Sequence, residues 1–419
     1  MGTDSGHPVR VHSNKETTMR IALCILALTV SGWAAEVDPG QATPTPDATA
    51  APAAAQTTPA TPATATPDAP KPADATPPAP PPKYDGWAFS GLVDGYSTYN
   101  GINPPMSANL LQNFDLHSGA PRLSLLKATV DKSDKVFGIH IDVGLGETMR
   151  LIHAADVAAQ QHQGLRYVEQ MYLIAKPNHT HGTEIDFGQF VTSAGAEVIE
   201  SSSNWDYTRS LLFALAIPYY HFGIRTSTPV TKTLTLGVQV VNGWNTVWGN
   251  HDFQNVGVTA AYTKTKYTYS VNYYVGKSDL GTHVGERNLI DTTLLLTPTG
   301  KLNFYINGDY GRDNTYGGGY NDWYGLAGAG RYQLSKVFAI AGRLECFDDP
   351  GGFSTGRRQT LKEGTFTGEG KVNDHLLARL EYRHDQSNQA FFEEGNGHAM
   401  KKGMDTVTIG IVGLVGPLK

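Results

Sequence analysis

The chain has 419 residues, enough for one large barrel or two ordinary domains, and only 17% of them are charged. Glycine (46) and tyrosine (20) are abundant, which suits many strands and tight turns and argues against a helical enzyme. The net charge of −6 and the lack of any basic run argue against a nucleic-acid surface. A mean hydropathy of −0.30 does not exclude the membrane, because a barrel strand alternates lipid-facing apolar with lumen-facing polar residues.

In chain order, Met19 and Arg20 open a short basic stretch, 21–30 is apolar, and Gly32-Trp33-Ala34 sets small residues at the two cleavage-determining positions. An apolar run of about ten residues is too short to span a bilayer as a helix, so 19–34 is expected to be a signal peptide. Residues 1–18 then read as an upstream extension that is not translated. Export leaves Cys346 as the sole cysteine, because Cys24 departs with the signal, and an intrachain disulfide is impossible. Residues 35–83 are almost entirely Ala, Pro, Thr and Asp. Without large apolar side chains such a segment builds no core. At about 3.1 Å per residue it could reach roughly 140 Å as extended polyproline. It is expected to be a disordered linker, either a passive tail or a tether through the periplasm and its peptidoglycan.

Order is expected to begin at Tyr84-Asp85-Gly86-Trp87, so 84–419 is assigned to the barrel. Period-2 alternation is the main signal there. Phe137, Ile139, Ile141, Val143 and Leu145 oppose Gly138, His140, Asp142 and Gly144. Tyr267, Tyr269, Val271, Tyr273 and Val275 oppose Thr268, Ser270, Asn272 and Tyr274. Leu302, Phe304, Ile306 and Tyr310 oppose Asn303, Tyr305, Asn307 and Asp309, and Leu376, Ala378, Leu380 and Tyr382 oppose Arg379, Glu381 and Arg383. The same rhythm runs near 87–99, 219–227, 233–241, 256–263, 337–346 and 406–415. These strands have the length that a tilted strand needs to cross the hydrocarbon layer. Their tyrosine and tryptophan ends suit an interfacial girdle. The expected fold is all-β, a transmembrane antiparallel barrel of 14 to 16 strands. Residues 145–165 and 350–372 are weakly patterned, a short helix fits 153–163, and 313–322 reads as a longer loop.

Residues 190–244 carry a more specific pattern. Phe190-Val-Thr-Ser-Ala-Gly195-Ala-Glu197-Val-Ile-Glu200 leads into Asn204-Trp205-Asp-Tyr207-Thr-Arg209-Ser210. Ala216-Ile-Pro218-Tyr-Tyr-His221-Phe-Gly223 and Asn242-Gly243-Trp244 follow, and Glu169-Gln170-Met-Tyr172 lies upstream. This run resembles the OmpL-like β-barrel porin family, porin-2 type. The resemblance implies an outer-membrane pore for small solutes, of undefined substrate. One departure stands out: barrels commonly finish on an aromatic residue read by the barrel assembly machinery, whereas this chain finishes Gly416-Pro417-Leu418-Lys419.

Charges on a barrel strand belong on the lumen side, because an arginine at the bilayer midplane costs about 2–4 kcal/mol. Arg343, Glu345, Arg379, Glu381, Arg383, Asp309, Arg225, His140 and Asp142 are therefore the pore-lining candidates. Glu197, Glu200 and Arg209 are candidates for a loop or constriction, paired so as to fold a loop inward. The strand charges are expected to form a ladder of alternating sign along the wall, either facing the permeation path or bracing the wall by pairing with one another. No His-Glu-x-x-His, Gly-x-Ser-x-Gly or Cys-x-x-Cys motif occurs, and His179-Thr-His181 reads as a turn rather than a metal site. The expected function is passive diffusion of small hydrophilic solutes or ions, with selectivity set by pore width and lining charge and with no cofactor. Region 84–419 holds 28 basic and 32 acidic residues, too even a balance to choose cations or anions. Two rival readings stand beside it, a non-conducting structural or adhesive barrel tethered by its linker and an outer-membrane barrel hydrolase.

Overall fold

The computed structural model describes residues 86–248, 255–278, 285–315, 319–395 and 399–416. The segments expected to be signal peptide and linker, and the last three residues, lie outside them. Eighteen strands follow in chain order: β1 Trp87–Asn100, β2 Arg122–Ser133, β3 Phe137–Leu145, β4 Val168–Ala175, β5 Glu184–Val191, β6 Tyr220–Pro229, β7 Leu234–Val241, β8 Asn255–Lys264 and β9 Tyr267–Ser278. The second half holds β10 Gly285–Leu296, β11 Leu302–Thr315, β12 Gly319–Gln333, β13 Phe338–Asp349, β14 Gln359–Asn373, β15 Leu376–Ser387, β16 Phe392–Glu394, β17 Ala399–Lys401 and β18 Gly403–Val415. β16 and β17 form a separate hairpin, and the other sixteen close a single antiparallel barrel in which β1 pairs with both β2 and β18. Closure leaves no unpaired edge, which is why strands can cross a hydrocarbon layer. Among the described residues no helix is long and apolar enough to do so.

The barrel is inside-out relative to a soluble protein. Leu380 is 58% exposed on the outer wall, whereas its neighbours Arg379 and Glu381 are 3% and 1% exposed inside. Ile306, Leu344, Phe366, Ile409 and Ile411 also face outward. Segment 350–372, weakly patterned in sequence, contains most of β14. The expected loop at 313–322 is largely strand instead: β11 runs to Thr315 and β12 begins at Gly319, with Thr315 opposite Gly319 in the ladder. Backbone groups make the ladder whatever the side chains, so polarity alone misplaced the strand ends. In place of one helix at 153–163 there are two short ones, Glu147–Ile152 and Val157–Gln161, the second capped by Asp156.

Connections alternate in length around the barrel. Segments 101–121, 146–167 and 192–219 join strands at one end, while 134–136, 265–266 and 374–375 join them at the other. Short turns mark the periplasmic end of such barrels and long loops the outer end. β1 starts at the short-turn end, so whatever precedes Trp87 enters from that side. Because Trp87 already pairs with Lys132 and 35–83 is almost without large apolar side chains, deleting residues 37–82 should leave the barrel intact. Heat-resistant gel mobility of the deletion variant checks this, and its loss would mean that the fold begins earlier.

Candidate functional site

The segment between β5 and β6, residues 192–219, does not extend outward. It crosses the lumen as a strap, and side chains on opposite walls bind its backbone. At its start Asn272 donates to the Ser193 carbonyl at 3.1 Å, and Asn307 accepts from the Ala196 N–H at 3.3 Å. Arg343 on β13 then holds two points of the strap, donating to Glu197 at 2.8 Å and to the Thr208 carbonyl at 2.8 Å. Arg379 donates to the carbonyls of Ser201 and Asn204, both at 2.5 Å, and Arg383 to that of Arg209 at 2.6 Å.

Acidic wall residues take the strap's amides. Glu381 accepts from the N–H groups of Tyr207 (2.5 Å) and Thr208 (3.0 Å). Glu345 accepts from those of Leu211 (2.7 Å) and Leu212 (3.2 Å), at the start of the short helix Leu211–Leu215 that Ser210 also caps. Carboxylates suit those free helix-start amides for electrostatic reasons. From the facing wall Asp94 accepts from Ser201 and from the Tyr207 hydroxyl at 2.8 Å. Glu200 receives Lys127 of β2. Gly410 makes room for the Tyr207 ring, since a Cβ there would lie 2.1 Å from it.

The second half of the strap packs against side chains from the long-loop end of the barrel. Phe114, Leu212, Phe213, Tyr219, Trp323 and Phe347 form one buried cluster. Phe114 meets Tyr219 edge-on at 5.5 Å, and the Arg209 guanidinium lies 4.6 Å from the Phe114 ring centre. Below the strap a cavity of about 810 Å³ opens at the short-turn end. His140, Arg225, Arg379, Glu197 and Glu200 border it, together with Lys127, Arg331 and Glu369.

This geometry corrects part of the expected site. Arg343, Glu345, Glu381 and Arg383 point into the barrel but do not border the cavity, because the strap covers them. Asp309 and Asp142 are also buried in the inner wall, away from the cavity surface. Arg209 donates to the carbonyls of Tyr207 and Ile199 within its own strap instead of pairing with Glu197 or Glu200. The wall charges therefore act as a docking surface for backbone amides and carbonyls, which no spacing in the sequence reveals. Sequence reasoning also missed Asp94, Lys127, Glu363 and Glu369, and passed over Asp206 within the Asn204–Ser210 run.

Two carboxyls on inward loops are expected to make stability depend on pH. Burial pushes Asp115 up to about 7 against the pull of Arg383 and Arg209, with Glu381 and Asp385 adding to the rise. Burial likewise pushes Asp206 up to about 7 against Arg343, with Glu381 and Glu197 adding to it. An unfolded carboxyl titrates near 3.9, so between about pH 4 and 7 the folded chain holds protons that the unfolded chain has lost. Stability contributed by these groups accordingly falls as pH rises through that window. The unfolding temperature in detergent should be higher at pH 5 than at pH 8, and Asp115→Asn should flatten the dependence. An equal slope in the variant would remove Asp115 from it.

Comparison with known families settles what kind of barrel this is. Residues 86–413 match the family described as "Putative beta-barrel porin-2, OmpL-like". The chain belongs to that family. It is an outer-membrane protein of porin type. Among solved structures it is similar to an anion-selective porin from Comamonas acidovorans, at 11% identity and a TM-score of 0.52, over 78% of this chain and 99% of that one. It is also similar to the outer-membrane channel DcaP of Acinetobacter baumannii, at 12% identity and a TM-score of 0.52, over 78% and 96%. A third likeness is to Salmonella typhi OmpF, solved with daunomycin, at 14% identity and a TM-score of 0.52, over 79% and 99%. At such identities these likenesses show the fold alone. Curated proteins give no significant match.

Proposed function

We propose that this porin-family barrel passes small hydrophilic solutes or ions by passive diffusion, through a path narrowed by the strap 192–219. The observation that carries the reading is the strap itself, fastened to the inner wall above a charged cavity open to the periplasmic side. A strap held by buried arginines and carboxylates sets a fixed constriction. Selectivity then falls to the charges that border the cavity, Arg225, Arg379, His140 and Lys127 against Glu197, Glu200 and Glu369. Arg343, Glu345, Glu381 and Arg383 act through the strap instead of facing the solute. Strand β1 begins at the short-turn end, and in the same reading the proline-rich segment before it reaches across the periplasm toward peptidoglycan.

Single-channel recording in a planar bilayer tests the proposal. Discrete steps smaller than those of a barrel with the strap deleted are expected, with a reversal potential in a salt gradient that reports the sign of the cavity charges. The apolar cluster of Leu212, Phe213, Phe114 and Trp323 across the lumen favours a second reading, a non-conducting structural barrel. Correctly folded protein that gives no steps would establish that reading and end the first.

A further inference from the structure

The β3–β4 pairing contains an irregularity beside the strap. Asp142 pairs with Gln170 while the next residue, Val143, pairs with Val168, so Glu169 is an extra residue with no partner across the ladder. Alternation along β4 would turn Glu169 to the lipid side, opposite Gln170. A bulge of this type re-aims a side chain, and here it leaves Glu169 with no exposed surface and both carboxylate oxygens without a hydrogen-bond donor. Asp142, Glu169 and Glu200 each bring a carboxylate oxygen to within 4.8 Å of the other two.

The charge around this point does not balance. Lys127 lies 3.2 Å from Asp142, 3.6 Å from Glu169 and in contact with Glu200. His140 is shared between Asp131 at 2.6 Å and Asp142 at 3.1 Å. Asp142 has ample donors, since Thr129 (2.5 Å) and Gln170 (2.8 Å) add to Lys127 and His140. Glu169 has the Lys127 ammonium at 3.6 Å and the carboxyl of Glu200 beside it, and no other side chain donates to it. Four carboxyls thus face one ammonium and one imidazole, and a carboxyl–carboxyl hydrogen bond between Glu169 and Glu200 offsets only part of the excess negative charge. Burying unpaired charge is strongly unfavourable.

We propose that Asp142, Glu169 and Glu200 bind a divalent cation of calcium type, which ties the strap to β3 and β4. Hard oxygen ligands at this spacing suit Ca²⁺, whose flexible shell accepts carboxylates and waters together. Lys127, Gln170 and Glu200 border the cavity, so the ion enters from the periplasmic side and cavity water completes its shell. The Lys127 ammonium holds the carboxylates together without the ion and swings into the cavity when it binds. Glu200 is the strap's ligand and the other two belong to the wall, so binding restrains the strap whether or not the barrel conducts.

The test uses the full chain in detergent, stripped with a chelator and titrated with CaCl₂ by calorimetry. One saturable site is expected, tighter than the millimolar range of weak extracellular sites. Glu169→Gln should weaken it at least about tenfold, in line with losing one of three charged ligands, and Glu200→Gln, in the strap, should do the same should the wall variant fold poorly. Lys127→Met should tighten it, because the competing ammonium is gone, and Ca²⁺ should restore that variant's heat-resistant mobility. Absence of saturable binding overturns the site. So does binding that survives both glutamine variants unchanged, or equal affinity in Lys127→Met, since either places the ion elsewhere.

Discussion

Arg343→Ala is expected to raise the unit conductance severalfold and to lower the temperature at which the barrel loses its heat-resistant mobility. Arg343 is buried at the crossing of four partners: Glu197 and the Thr208 carbonyl on the strap, and Glu363 and Thr365 on β14. Truncation leaves the Glu197 and Glu363 carboxylates buried with their main cation gone. Removing one partner of a buried pair typically costs about 3–5 kcal/mol, much of it from the charge left behind. Tyr305 still donates to Glu197 at 3.2 Å, so the strap should loosen between Ala196 and Ser210 and not detach at its ends. Removing the stranded charges as well, in Arg343→Met with Glu197→Gln and Glu363→Gln, should recover much of the thermal stability, because uncharged groups carry a smaller desolvation penalty. An unchanged unit conductance in a folded Arg343→Ala protein would mean that the strap does not set the constriction.

Leu380→Arg should prevent assembly or cut thermal stability sharply, although its neighbour on either side is a charged residue. Leu380 faces outward between inward-facing Arg379 and Glu381, and an arginine at mid-membrane on that face costs about 2–4 kcal/mol. Arg379 one position earlier carries the same charge with Glu369 at 2.7 Å and three strap carbonyls as partners. The contrast isolates which way the side chain points. Refolding yield into lipid vesicles, scored by gel mobility with and without boiling, reads the result. Wild-type yield for Leu380→Arg would show that this wall does not meet lipid.

Alternation made the faces of β3, β9, β11 and β15 legible from residues alone, because a strand inverts its side chains at every step and a lipid face accepts few charges. Phe304 and Ile306 outward with Asn303, Tyr305 and Asn307 inward is what the pattern of β11 requires. The same logic placed Arg379, Glu381 and Arg383 together on the inner face. It could not say what they touch. Their partners, Ser201 through Arg209, lie more than 170 positions earlier in the chain, and no local period links the two.

Glu169 shows the limit most sharply. A single unpaired residue in β4 changes which face it occupies, so strict alternation would assign it to the wrong side. By itself, then, the amino-acid sequence determined the export-type leader pattern as an expectation, the barrel class, and which side chains shun lipid, because these follow from short-range periodicity and composition. The tertiary structure alone decided that segment 192–219 folds inward, that buried arginines and glutamates grip its backbone, and that three distant carboxylates converge on Lys127. Those outcomes depend on barrel closure bringing β2–β4 and β13–β18 around one lumen, a long-range event on which local residue patterns carry no information.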